Sequence, residues 1–280
     1  MKTTSKQNTS IMKKIGTFIM ALALVLGLSQ CKKQETPATP DAEGDMVYIS
    51  VKANGGDRNL YPNTGAYVFG NGDRIYVSNG SKCLGFLTYQ TGAFNSGWFG
   101  GGIFNPGTGN YLYFYFIGGE HEIPYQQAPG LTSWDFDLSG QLYSLPVVSF
   151  GQSTTPYTND KATYSCTLIN QCALVHFDYT GTNTVIAVGN VPTKVTFDFT
   201  STDPENAIKP KEGSDNGSIT LYREEIDSRW AIMLPGTNLG EAVVENGEIR
   251  CNYVDGLPTS LGANELYKTG ITINDDTSGK

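Results

Sequence analysis

Short stretches in which apolar and polar residues alternate run along most of the chain after residue 45. The clearest is Met46–Ala53, in which Val47, Ile49 and Val51 share one face and polar side chains and Tyr48 share the other. A period of two residues predicts a β-strand with one buried face. The sequence therefore predicts a half-buried first strand near the start of the globular part.

Runs of Gly, Asn, Asp and Pro separate the alternating stretches and predict turns. One run, Asn54–Arg58, directly follows the first strand and predicts an exposed loop. The glycine-rich segment Phe94–Asn110 and the polar segment Ser201–Gly217 also predict loops. Because no segment beyond the N-terminal apolar run has a helical period, the chain is predicted to be all-β.

A segment rich in Thr, Pro and Asn, Gln152–Asp160, interrupts the predicted strands near the middle of the chain. Such a composition is typical of a linker. We therefore predict two domains, at residues 46–158 and 159–280. About 250 residues after the N-terminal segment are enough for one or two domains.

The N-terminus has the features of a secretory leader. Lys13 and Lys14 precede the apolar run Ile15–Leu28, which is shorter than the roughly 20 residues of a membrane span. Leu28-Ser29-Gln30-Cys31 resembles the bacterial lipobox, although Gln30 replaces the usual small residue. The sequence therefore predicts a signal peptide at residues 1–30 and lipidation of Cys31. An ordinary signal peptide is the alternative, and translation starts at Met1 or Met12.

Residues 31–45 contain no large apolar side chain after the cysteine and predict a flexible, solvated tether. The whole sequence has 19 basic and 27 acidic residues. Loss of the leader removes four lysines and leaves 15 basic residues against 27 acidic ones, a formal charge of −12. Such a charge argues against nucleic acid as a partner.

Four cysteines besides Cys31 leave the redox state open. Cys83, Cys166, Cys172 and Cys251 could form two disulfides in an exported protein, or they could be free and buried. None of their spacings is that of a zinc ribbon.

Candidate catalytic residues are few. His121 lies in a predicted surface turn without a second histidine at metal-binding spacing, and His176 lies inside a predicted strand, where neighbours satisfy it. Asp135 and Asp137 share one strand face, which predicts a solvated face rather than a pair of catalytic carboxylates. We therefore predict no enzymatic activity, no metal and no cofactor.

An aromatic stretch, Tyr111–Phe116, places Tyr111, Tyr113 and Tyr115 on one face of a predicted strand. A row of tyrosines can stack on sugar rings, but core packing is the commoner use and is favoured here.

Several segments together resemble the fimbrillin family, the pilus subunits and related surface lipoproteins of Bacteroidales. The matching segments are the leader with Cys31, Gly72–Val77, Tyr111–Phe116, Leu145-Pro146, Phe150–Gln152, Cys172–Phe177, Trp230–Gly236 and Tyr267–Ile273.

The resemblance implies two transthyretin-like β-sandwich domains in tandem and assembly into a polymer. In such pilins a trypsin-like protease cuts after an arginine in the loop that follows the first strand, and Arg58 stands at that place. The cut removes the strand that carries Val47, Ile49 and Val51. A C-terminal strand of the next subunit then fills the groove by strand addition.

The candidate donor strand is residues 266–274, with Tyr267, Thr269, Ile271 and Ile273 on one face. Its alternative role is the last strand of its own domain.

The resemblance predicts a non-enzymatic pilus subunit or adhesin at the cell surface. Its predicted partners are the outer membrane, through lipid on Cys31, the processing protease and other pilus subunits, in a homo- or heteropolymer. The alternative is a glycan-binding surface lipoprotein of a polysaccharide-uptake system, which would carry an exposed aromatic platform.

Overall fold

A computed structural model describes residues 45–55, 68–93, 96–118, 128–179, 185–239, 242–245, 248–251, 253–255 and 260–272. Within these ranges the regular structure consists of β-strands, as predicted for an all-β chain, apart from a single helical turn, α1 (Pro204–Ala207). No helix in the described part of the chain is long and apolar enough to cross a membrane.

The strands up to residue 170 are β1 (Met46–Gly55), β2 (Arg74–Ser78), β3 (Cys83–Ala93), β4 (Ser96–Phe104), β5 (Tyr113–Ile117), β6 (Ser133–Asp137), β7 (Val148–Gln152) and β8 (Thr163–Asn170). Those after residue 170 are β9 (Ala173–Tyr179), β10 (Ile186–Val191), β11 (Lys194–Asp198), β12 (Ile208–Pro210), β13 (Gly217–Thr220), β14 (Tyr222–Arg223), β15 (Ser228–Met233), β16 (Ala242–Glu245), β17 (Glu248–Cys251), β18 (Tyr253–Asp255) and β19 (Leu266–Thr272).

Seven strands form a closed sheet in the order β1-β4-β3-β2-β5-β7-β8. The pairs within it are antiparallel except for β1 and β8, which are parallel and close the ring. Its inward side chains, including Val51, Leu87, Phe99 and Phe114, form one apolar core. Closure leaves no edge within this sheet.

A three-stranded sheet, β12-β11-β6, covers part of the outside of the closed sheet. Tyr113 and Tyr115 point outward from β5 and are buried under it. The Tyr115 hydroxyl donates to the Asp198 carbonyl oxygen at 2.7 Å, and the Tyr115 and Phe199 ring centroids are 4.8 Å apart. The predicted packing role is confirmed for these two tyrosines, whereas Tyr111 is 40% exposed.

The second half of the chain also forms two larger sheets, β13-β10-β16-β17 and β14-β15-β9-β19-β18. Apolar residues of both sheets share one core, which includes Phe177, Val188, Ile219 and Ile271. The sheets therefore form a sandwich.

Strands from both sides of the predicted domain boundary at residue 158 pair in the same sheets. Strand β8 lies beyond it and belongs to the closed sheet, whereas β6 lies before it and pairs with β11. A closed sheet followed by a sandwich does not confirm two tandem transthyretin-like sandwiches. The division at residues 158 and 159 stays a prediction about independently folding units.

The prediction of a loop at 94–110 was wrong for residues 96–104, because Ser96–Phe104 is strand β4, which pairs with β1 and β3 in the closed sheet. Neighbouring groups occupy the space that side chains would need. A Cβ on Gly97 would lie 3.1 Å from the Phe99 ring, and one on Gly102 would lie 2.9 Å from the Met46 methyl carbon. The glycines are therefore strand residues that larger side chains cover.

The predicted loop at 201–217 also contains regular structure. It includes α1 and β12, and Ala207 and Ile208 are buried against the three-stranded sheet. Asp203 caps the helical turn by accepting a hydrogen bond from the Glu205 amide at 3.1 Å. Burial of these two apolar residues therefore holds the polar segment 201–217 against the three-stranded sheet.

Candidate functional site

The first strand is held on both sides in the closed sheet. β1 pairs with β4 from Met46 opposite Phe104 to Asn54 opposite Ser96, and with β8 from Ser50 opposite Thr163 onward. It is thus an interior strand, although it comes first among the described strands. Its removal would leave a gap between β4 and β8, called here the β1 slot.

The inward side chains of β1 belong to the core of the closed sheet. Val51 and Ala53 are completely buried, Ile49 is 4% exposed, and Val47 is half-buried. The opposite face is open, with Tyr48 79% exposed. This is the half-buried alternation predicted from the sequence.

We expect an empty β1 slot to lower the stability of the closed sheet substantially. Burial of Ile49 and Val51 contributes roughly 3–6 kcal/mol in total, at about 1.5–3 kcal/mol each. Each ladder hydrogen bond adds about 1 kcal/mol, and β1 has partners along both sides. The sum is comparable with the net stability of a whole domain, about 5–15 kcal/mol.

The predicted processing and lipidation residues, Arg58 and Cys31, lie outside the described residues. Strand β1 ends at Gly55, three residues before Arg58 in the sequence.

The candidate donor strand is an interior strand of its own sheet. β19 lies parallel to β9 on one side and antiparallel to β18 on the other. Thr269 and Ile271 are buried, and the half-buried Tyr267 accepts a hydrogen bond from the Gly262 amide at 2.8 Å. Ile273 lies outside the described residues. The structure therefore shows these residues in the alternative role, as a strand of their own sheet.

Both ring nitrogens of His176 have polar neighbours, as predicted. Its Nε2 lies 3.0 Å from the Ser228 hydroxyl, and its Nδ1 lies 3.7 Å from Asp178. Burial lowers the pKa of His176, and Asp178 acts in the opposite direction. Among the described side chains no group of three or more His, Cys, Asp or Glu could hold a metal ion.

Asp135 and Asp137 lie on a solvated face and are paired with lysines. Lys211 is 2.8 Å from Asp135, and Lys194 contacts Asp137. Lys211 and Thr196 hold the pKa of Asp135 below its usual value. The face is a charged surface, as predicted.

Three cysteines, Cys83, Cys166 and Cys172, are buried and carry free thiols. Burial raises the pKa of Cys83 from 9.0 to about 12 and that of Cys172 to about 12, and it also raises the pKa of Cys166. The side chain of Cys251 lies outside the described residues.

We expect these three thiols to be inert in the native protein. A pKa of about 12 lowers the reactive thiolate fraction about a thousandfold relative to an ordinary cysteine. A chain with Cys31→Ser and Cys251→Ser should show no fast reaction with a chromogenic disulfide at pH 8. Three equivalents should react in denaturant, and fast labelling of the folded protein would contradict the burial described.

No protein-family model matches the chain, and no curated protein matches it. Among solved structures, a candidate cell adhesion protein from Bacteroides uniformis is similar, with 15% identity and a TM-score of 0.49 over 82% of this chain and 98% of that one. A fimbrial assembly protein from Parabacteroides distasonis is 12% identical, with a TM-score of 0.36 over 75% of this chain and 90% of that one. The fimbrial anchor protein Mfa2 from Porphyromonas gingivalis is 11% identical, with a TM-score of 0.35 over 72% of this chain and 80% of that one. All three of these proteins come from Bacteroidales.

Proposed function

We propose that this protein is a non-enzymatic, fimbrillin-like pilus subunit or adhesin of the cell surface. It is exported as a lipoprotein anchored through Cys31, and a trypsin-like protease cuts after Arg58. Loss of β1 opens the slot between β4 and β8, and a strand of another subunit fills it. The observation that carries the proposal is the two-sided pairing of β1 in a closed sheet.

The position of β1 in the sequence makes this mechanism simple. A strand in the middle of a chain needs two cuts for release, whereas one cut after Arg58 separates β1 from all other described strands. The released piece also contains the tether and Cys31, so the same cut would detach the subunit from its lipid.

The open slot would present unpaired backbone groups on both sides. Nine residues of β4 and six of β8 pair with β1 in the closed sheet. An unpaired strand edge is a template for strand addition, because backbone N–H and C=O groups gain partners there. A donor also needs alternating apolar side chains to replace Ile49 and Val51 in the core.

Residues 266–274 have this alternation and are our proposed donor segment. Donation requires β19 to leave both β9 and β18, since its Thr269 and Ile271 are buried in the present structure. A subunit whose β19 stays in place would accept a strand without donating one.

The proposal is tested by replacing the arginine at the cut site. In cells, Arg58→Gln should abolish ladders of detergent-resistant polymers and leave monomers that begin with lipid-modified Cys31. Wild-type polymers should begin with Asn59. Arg223→Gln, which changes an exposed arginine elsewhere, is the matched control and should leave the ladders intact. Unchanged ladders in Arg58→Gln would overturn the mechanism.

A further inference from the structure

The outer face of the closed sheet is open to solvent along β1, β4 and the C-terminal half of β3, and is called here the β1–β4 face. It is open because the three-stranded sheet packs instead on the part of the ring around β5. Two aromatic side chains are exposed on this face, Tyr48 of β1 and Trp98 of β4, which is 37% exposed. The other exposed side chains of the face include Met46, Ser50, Lys52 and Asn54 of β1 and Gln90 of β3.

Glycines of β4 leave a depression in the middle of the β1–β4 face. Gly100 and Gly102 occupy successive outward positions of this strand. The Tyr48 ring covers Gly102, since a Cβ there would lie 3.4 Å from the Cε1 atom of the ring. Above Gly100 no ring is as close, and the nearest atoms to a Cβ would be Gln90 Cγ at 3.6 Å and the Ser50 hydroxyl at 3.7 Å. The depression above Gly100 therefore has an aromatic ring at one end and a polar side chain on each flank.

Trp98 forms the other end of this depression. It is the outward residue of β4 that precedes Gly100, and outward positions of a strand repeat at intervals of roughly 7 Å. Tyr48 pairs with Gly102, so the backbone positions of the two aromatic residues are roughly 13 Å apart along the sheet. A ligand that contacts both rings must therefore be longer than a single sugar unit. Exposed aromatic faces offer an apolar surface to the C–H groups of such a ligand.

Hydroxyl and amide groups stand beside the aromatic rings. The Gln90 amide nitrogen donates to the Thr88 carbonyl oxygen at 3.1 Å, which orients the side chain and leaves its Oε1 atom as an acceptor. The Ser50 hydroxyl, on the opposite flank of the depression, can both donate and accept. Sugar hydroxyls also donate and accept, so groups of this kind can pair with them.

The β1–β4 face carries a positive charge in an otherwise acidic protein. Lys52 is exposed and lies directly opposite Trp98. Within their described bounds, strands β1, β3, β4 and β8 contain no acidic residue, although the whole chain has 27. This local charge should favour a ligand with negative groups over a neutral one.

We propose that the β1–β4 face binds a glycan chain that contains acidic sugar units. One sugar ring lies in the depression above Gly100, and the neighbouring units pack on Tyr48 and Trp98. The Lys52 ammonium pairs with the carboxylate of the unit on Trp98. Aromatic surface, hydroxyl and amide groups, and a cation thus meet on one sheet face.

This site goes beyond strand exchange and does not require it. The complete face is present in the uncut protein, so binding is expected there whether or not subunits exchange strands. Because β1 supplies Tyr48, Ser50 and Lys52, removal of β1 after cleavage at Arg58 should abolish the binding. The two proposals can therefore fail separately.

The test compares three probes of equal length by calorimetry on the purified, uncut protein at low ionic strength. Tetragalacturonate should bind at least about threefold more tightly than neutral cellotetraose, because its carboxylates gain an exposed cationic partner. Tetraglutamate, which has carboxylates but no sugar rings, should bind at least about tenfold more weakly than tetragalacturonate. Equal binding of cellotetraose or of tetraglutamate, or no binding of tetragalacturonate, would overturn the proposal.

Variants assign the binding to the β1–β4 face. Tyr48→Ala and Trp98→Ala should each weaken tetragalacturonate binding at least about tenfold, whereas Tyr143→Ala, at a site 89% exposed, should not change it. Lys52→Gln should make the affinities for tetragalacturonate and cellotetraose equal. If Trp98→Ala fails to fold, Gly100→Ala replaces it, since its methyl group makes only ordinary contacts but raises the floor of the depression. Unchanged affinity in Tyr48→Ala together with Trp98→Ala or its replacement would overturn the proposal.

Discussion

Removal of the first strand, by trypsin cleavage after Arg58 and separation of the released peptide from the cleaved chain, will lower the stability of the remaining chain by at least about 5 kcal/mol. Ile49 and Val51 leave the core of the closed sheet, and the backbone groups of β4 and β8 lose their partners. Denaturant unfolding of the intact and cleaved proteins, monitored by fluorescence, gives the difference. A synthetic peptide of residues 46–55 should restore most of the loss in a concentration-dependent manner.

Two altered peptides provide controls for this restoration. A peptide with Val51→Asp should fail, because it places an unpaired carboxylate in a completely buried position. A peptide with Lys52→Glu should succeed, since Lys52 is on the exposed face of the same strand. Equal stability of the cleaved and intact chains would show that β1 is dispensable, and the proposed slot would lose its physical basis.

The second large effect is expected from Gly151→Ala in β7. A methyl group at this position would lie well inside contact distance of the Thr167 carbonyl oxygen, a backbone atom of β8 that cannot move aside alone. Overpacking of this kind costs about 3 kcal/mol. Because Thr167 pairs with Asn54 of β1, displacement of Thr167 should also weaken the pairing of β1 with β8. Thermal unfolding and faster trypsin cleavage after Arg58 measure the two effects.

Gly100→Ala in β4 is the matched control. The nearest atom to a methyl group there would be a Gln90 side-chain carbon at 3.6 Å, an ordinary contact. We expect unchanged or slightly higher stability, because alanine restricts the unfolded chain more than glycine does. Equal destabilisation by both substitutions would show that loss of glycine, rather than the close approach of β7 to β8, is responsible.

The local pattern of the first strand was readable from the sequence because one of its faces is buried and the other is open. The same logic failed for β4, in which glycines occupy positions on both faces. Side chains from other strands, such as Met46 of β1 and Tyr89 of β3, fill the space above these glycines. A strand rich in glycine shows no alternation of apolar and polar residues in the sequence, because the side chains that cover it belong to adjacent strands.

The partners of β1 could not be predicted, since pairing depends on residues far apart in the sequence. Val51 lies opposite Phe99 on one side and Tyr164 on the other. A cavity between β9 and β15 could not be predicted for a similar reason, because it combines His176 with Glu224, Ser228 and Trp230 from a distant segment. The run of acids ending at Asp227, shortly before Trp230, was the local signal that could have indicated it.

The parallel pairing of β1 with β8 also affects how the protein is made. Val51 and Tyr164 are more than a hundred residues apart, so the ring cannot close until β8 is available to pair with β1. Under the proposed export, each newly translocated molecule therefore passes through an unclosed form in which β1 is not yet paired with β8. Under the proposed strand exchange, closure of the ring and capture by a neighbouring subunit compete from this moment, so we expect the speed of translocation to affect the yield of polymer.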